Sequence, residues 1–158
     1  MKRLSPKKVS QKLLRPSPTA ARKQFVLENH RKLIDIMKEV PNNQHDQGTW
    51  GEYDPDVLTE KQVNQAPHCG TTCCALGWAG VSGEFDGLGV FATDGHIEPT
   101  INNSDQYVID WDEVGVGYFG GVTFRSVFMD TGSRREKVIE KLEARVQQIE
   151  SAPSDEVV

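Results

Sequence analysis

Reactive side chains concentrate in one stretch, His68-Cys69-Gly70-Thr71-Thr72-Cys73-Cys74-Ala75-Leu76-Gly77-Trp78-Ala79-Gly80. It holds all three cysteines of the chain and lies in its longest run without a charge. A cysteine just ahead of a helix feels the partial positive charge of aligned peptide dipoles, which favours the thiolate. Cys69 has that position, with His68 adjacent and His96 or His45 as candidate bases for a cysteine-dependent hydrolase or transferase. His96 close to Asp94, and His45 beside Asp46, each offer a base with an orienting carboxylate, although a solvated polar loop is the plainer reading of His45-Asp46.

Zinc needs four thiolate or imidazole ligands, and Cys69 with Cys73 or Cys74 supplies two. The usual two-residue spacing is absent and the other ligands would be isolated histidines, so neither a metal nor another cofactor is assigned. The third reading is structural. Free cysteine is among the most buried residue types. Cys69 and Cys74 would then pack as small groups at a helix start, with Gly70 in a turn, Thr71 or Thr72 as cap, and Gly77 admitting a neighbour. The sequence favours this reading and leans against an enzyme.

The elements that would position these residues follow from charge and periodicity. Residues 1–23 carry eight Lys or Arg and no acid, so the net charge of −5 hides a basic arm on an acidic body. Lys2, Arg3, Lys7, Lys8, Lys12 and Arg15 would let residues 1–18 act as a flexible arm that grips a polyanion or folds back on its own domain. The arm lacks aromatics to stack on bases, which weakens a single-strand nucleic-acid reading. No apolar run approaches a membrane span, and no signal peptide is recognisable, so a cytoplasmic protein is expected. An odd number of cysteines, two of them adjacent, fits a reducing compartment.

A helix is predicted from Thr19 to before Pro41, with Val26, Leu33, Met37 and Val40 on one face. Pro41 to Pro55 reads as a loop anchored by Trp50, and residues 55–66 as a short turn or helix with Val57, Leu58 and Val63 inward. The central helix is expected from Thr72 to Val81. Leu88–Ala92 and His96–Thr100 flank Thr93-Asp94-Gly95, a hairpin signal. Tyr107–Phe119 reads as a helix or a strand then a helix, broken at Gly120-Gly121. Ser133-Arg134-Arg135-Glu136 fits a capping box before a helix with Val138, Leu142, Arg145 or Val146, and Ile149 along one face. Residues 151–158 read as a disordered acidic tail, leaving 19–150 as a single globular domain.

The pattern Cys69-Gly70-Thr71-x-x-Cys74-x-x-Gly77-Trp78-Ala79 resembles a motif in a family of small proteins from bacteriophages and their hosts. The likeness covers roughly residues 20–150: Phe119-Gly120-Gly121, Val127-Phe128 and Ser133 to Ile149 stand where that family has its later elements, with Gly121 in place of a usual leucine. The resemblance implies a phage-related origin without implying a mechanism, and makes Cys69 and Cys74 the motif cysteines and Cys73 incidental. A weaker local likeness to papain-type enzymes lies in Cys69-Gly70-Thr71-Thr72-Cys73, but Gln65 is too close and the tryptophan is displaced.

The reading is an α+β, helix-dominated domain, with N- and C-terminal helices around a short central Cys-Gly-Thr helix and a small β-hairpin. Its expected function is a non-catalytic, phage-type accessory protein that binds a host or phage macromolecule, in host takeover or counter-defence. A protein partner suits the acidic body; nucleic acid held by the arm, as in a virion or DNA-associated protein, is the other class.

Overall fold

The structure, a computed structural model, describes residues 2–3, 19–66, 70–101 and 107–152. Helix α1 (Thr19–Glu39) ends just ahead of Pro41, as the steric clash before proline requires. Val26, Leu33, Met37 and Val40 form its buried stripe. His30 fills the stripe position that the apolar pattern skips, and it is fully buried.

The last helix, α5 (Arg135–Ser151), packs antiparallel to α1 and buries Val138, Leu142 and Ile149. Each helix places a cation on the other's C-terminal carbonyls: Lys23 Nζ donates to Ala152 O at 2.8 Å, and Arg135 Nη1 to Val40 O at 2.8 Å. These contacts complement the negative end of each helix dipole. The start of α5 departs from the expected capping box. Arg134 is the N-cap and makes no side-chain cap bond, while the Ser133 hydroxyl accepts from Lys141 instead.

Between these helices lie α2 (Glu60–Gln65), α3 (Ala75–Ser82) and α4 (Trp111–Phe119), then a helical turn at Gly121–Thr123 and a π-turn at Phe124–Phe128. Helix α2 has a reciprocal capping box between Thr59 and Gln62 and buries Val63. Val57 was expected to point inward, but it sits in the turn before α2 and is 72% exposed. The carbonyls ending α4 are capped from α1: Arg22 reaches Gly117 O at 2.6 Å and Val116 O at 3.1 Å, and Asn29 reaches Tyr118 O at 3.0 Å. Arg22 is buried, so these charged bonds to carbonyls contribute more than a surface contact would.

The sheet runs β1-β4-β3-β2, with β1 Lys2–Arg3, β2 Leu88–Thr93, β3 His96–Ile101 and β4 Tyr107–Val108. The β2–β3 hairpin turns at Asp94 and Gly95, both at positive φ (47° and 85°), as its Asp-Gly signal predicts. Only the two termini of the predicted arm and tail fall within the described residues. Lys2 and Arg3 pair in parallel with Tyr107 and Val108, and Ser151 closes α5 rather than opening the tail. Lys7, Lys8, Lys12 and Arg15 lie outside the described residues, as do the tail residues after Ala152. Among the described residues no helix is long and apolar enough to cross a membrane.

Candidate functional site

Of the two cysteines within the described residues, Cys74 is the N-cap of α3; its sulfur accepts from the Gly77 amide at 3.4 Å. Thr71 and Thr72 were the expected caps. Thr72 is unavailable because its N–H and C=O both pair with Glu52, which draws it into an extended bridge and moves the helix start two residues on. Cys73 is likewise held by its backbone, between Gln44 O and Asp46 N. Both thiols are fully buried. Desolvation pushes the Cys74 thiol up to about 12 and raises Cys73 as well, so neither is a thiolate nucleophile. Cys69 and His68 lie outside the described residues. His45 binds Gln47 Oε1 through Nε2 at 2.9 Å, and His96 is exposed at the start of β3 beside the hairpin turn.

The rest of the motif is structural. Gly70 turns the chain at φ 91°, Thr71 is buried, and Trp78 Nε1 donates to Gln44 O at 2.9 Å. Gly77 allows a close approach: a Cβ there would stand 1.8 Å from the backbone oxygen of Trp50. The loop carrying Trp50 is stitched down on both sides of this contact. Cys74 N donates to Thr49 O at 2.7 Å, Ile97 N to Gly51 O at 3.1 Å, and Glu52 exchanges two bonds with Thr72. Gln47, buried beneath the loop, accepts from the first amide of α3 and donates toward the carbonyls of Val127 and Phe128.

This seating presents Trp50 between two other rings. Its ring stacks on Trp111 (6.4 Å, 18°) and on Phe124 (6.4 Å, 11°). Trp50 and Trp111 also line a recess of about 430 Å³, with Glu98, Ile109, Asp110 and Asp112. Asp112 and Glu113 occupy the first turn of α4, where the helix dipole favours negative charge. Asp110, Asp112 and Glu113 bring oxygens within 4.8 Å of one another. Carboxylates beside partly buried rings suit an ammonium or guanidinium group, through charge-assisted hydrogen bonds to its head and apolar contact with its stem.

The stretch of sequence that builds the recess is acidic. From Pro41 to Glu113 the chain has thirteen Asp or Glu and a single Lys or Arg, Lys61. The backbone of Glu52 bridges to that of His96, and Glu60 Oε1 accepts from the Asp94 amide at 3.1 Å. Ion pairs between described residues join α1, α5 and the turn before α5, leaving exposed Glu52, Asp54, Asp56 and Asp112 outside them. A second hollow, about 720 Å³, runs between α1 and α3 past Ile36, Val40, Trp78 and Val81.

The sequence reading centred on the cysteines and passed over the recess, although the charge count between residues 41 and 113 marks its surroundings. Compared with protein-family models, curated proteins and solved structures, the chain matches none.

Proposed function

We propose that the chain is a phage-type accessory protein acting as a non-catalytic binding module, whose acidic face holds a Lys- or Arg-rich segment of a host or phage protein. The observation that carries this reading is the recess lined by Trp50, Trp111, Glu98, Asp110 and Asp112, formed within a stretch of sequence, Pro41 to Glu113, that has thirteen acids and one Lys or Arg. Complementary charge speeds encounter and selects basic partners, while aromatic walls provide contact area that survives salt better than charge alone. The same surface repels phosphate, which turns the face away from nucleic acid. A cysteine-dependent reaction draws no support from Cys73 or Cys74, whose burial keeps them protonated. The family resemblance implies a phage-related origin, and host takeover or counter-defence is the setting proposed for such a module.

The test is fluorescence anisotropy with a labelled synthetic twelve-residue peptide rich in arginine. Wild-type protein should bind it with an affinity that falls as salt rises. The folded Glu98→Lys/Asp112→Lys variant should bind at least tenfold more weakly, since each reversal sets like charges against each other. No binding by the wild type, or equal binding by the variant, would refute the reading.

A further inference from the structure

The strand β1 has a placement that the basic composition of the N-terminus does not require. Lys2 and Arg3 add to the outer edge of the sheet, in register with Tyr107 and Val108. The pairing is parallel, so this basic segment enters pointing along the chain toward Ile109, Asp110, Trp111 and Asp112. Those four residues line the acidic recess. The most basic segment of the sequence thus places Lys2 and Arg3 immediately before the residues that line the recess, over 100 residues away in sequence.

We propose that the N-terminal segment is a built-in competitor for the partner-binding face: Lys2–Arg3 occupy the β4 edge in cis, and a basic protein segment binds by displacing them. This rests on the reading that the acidic face takes basic segments. Two features make the edge exchangeable. Among the described residues the pairing spans two positions, so little of this ladder is lost when it opens. The edge of β4 then offers unpaired N–H and C=O groups to an extended chain, which is how strand addition gives affinity without requiring a unique sequence. Charge complementarity to the recess selects a basic incoming strand.

Fifteen residues, 4–18, separate Arg3 from Thr19 in the sequence. For a tether of this length an effective concentration on the order of 1 mM, set against a segment affinity of about 100 µM, weakens a competitor roughly tenfold. The arm would therefore tune affinity rather than abolish binding. It would reject weakly basic segments and yield to those that also fill the aromatic recess.

The probe is a fluorescein-labelled peptide with the sequence of residues 1–18, added to full-length protein. Lys2→Pro with Arg3→Pro removes both amide donors from β1. Lys2→Gln with Arg3→Gln removes the same charges and keeps the amides. The proline variant should bind the probe on the order of tenfold tighter than wild type, and tighter than the glutamine variant. Equal binding by wild type and the proline variant would overturn the inference while leaving the acidic-face reading intact. A glutamine variant as tight as the proline variant would overturn the strand pairing as the source of competition. Failure of the probe to bind any form, while the arginine-rich peptide binds, would likewise overturn the inference alone. Failure of both peptides would remove the acidic-face reading as well.

Discussion

Gly77→Ala probes the contact that seats the recess. The added methyl would lie 1.8 Å from Trp50 O, 2.8 Å from Cys73 Cβ and 3.0 Å from Trp50 C, so the Trp50 peptide must retreat by roughly 1.5 Å to reach ordinary van der Waals distance. It cannot retreat alone, because Thr49 O, Gly51 O and both polar groups of Glu52 are bonded to Cys74, Ile97 and Thr72. Overpacking of this kind costs about 1–3 kcal/mol. Loss of two of the stitching bonds adds about 1 kcal/mol each. Alanine's helix propensity returns about 1 kcal/mol. The net expectation is destabilisation of roughly 3 kcal/mol, or a fall of about 10 °C in Tm for a domain of this size. Urea and thermal unfolding followed by far-UV circular dichroism measure it. Near-UV dichroism should change too, because displacing Trp50 disturbs its stacking on Trp111 and Phe124. Gly132→Ala, which meets nothing within 4 Å, is the control and should lie within about 0.5 kcal/mol of wild type. A Gly77→Ala protein within 1 kcal/mol of wild type would refute the argument that this contact holds the loop.

Two further predictions concern buried titrating groups. His30 donates from Nδ1 to Val26 O (2.7 Å), and its Nε2 accepts from Thr123 Oγ1 (2.8 Å), which in turn accepts from Arg145 Nε (3.0 Å). Burial holds its pKa down at about 4, so it is neutral when folded, whereas the unfolded chain takes up the proton near 6.5. Its contribution to stability is therefore complete above about pH 6.5 and declines as pH falls toward 4. Urea unfolding at pH 7.5 and 4.8 should show a loss from this source of roughly 2 kcal/mol, largely absent in His30→Gln; equal pH dependence in both proteins would exclude His30 as the cause. In native protein at pH 8, iodoacetamide should leave Cys73 and Cys74 unlabelled until denaturant is added, as read by peptide mass spectrometry. Labelling within minutes in the native state would contradict their burial.

The sequence showed its periodic elements clearly and its long-range seating poorly. Val26, Leu33 and Met37 recur at helical spacing, and Asp94-Gly95 punctuates two apolar runs, so α1 and the β2–β3 hairpin were legible from local pattern. The role of Gly77 was legible as close approach, but the partner it admits was not, because Trp50 lies in a loop without periodicity. The cap of α3 was misplaced because threonine is the better capping type, while Thr72 is held extended by Glu52, a constraint that exists only in the folded chain. Ser133 was misread for a similar reason: its hydroxyl accepts from Lys141 on the following helix. The recess draws Trp50, Glu98 and Asp112 from three segments, so no single window of sequence displays it. The β1–β4 pairing is less visible still, since two residues carry no alternation and their partners lie over 100 residues along the chain.

The most direct test of the acidic recess uses the three tryptophans as reporters in a ¹⁵N-labelled full-length protein. Trp50 and Trp111 line the recess, whereas Trp78 borders the separate hollow between α1 and α3, its indole N–H bonded to Gln44 O. Titration with the arginine-rich peptide should move the indole resonances of Trp50 and Trp111 and leave that of Trp78 in place. Movement of Trp78 with Trp50 and Trp111 unchanged would put the binding surface on the other side of α3 and contradict the account.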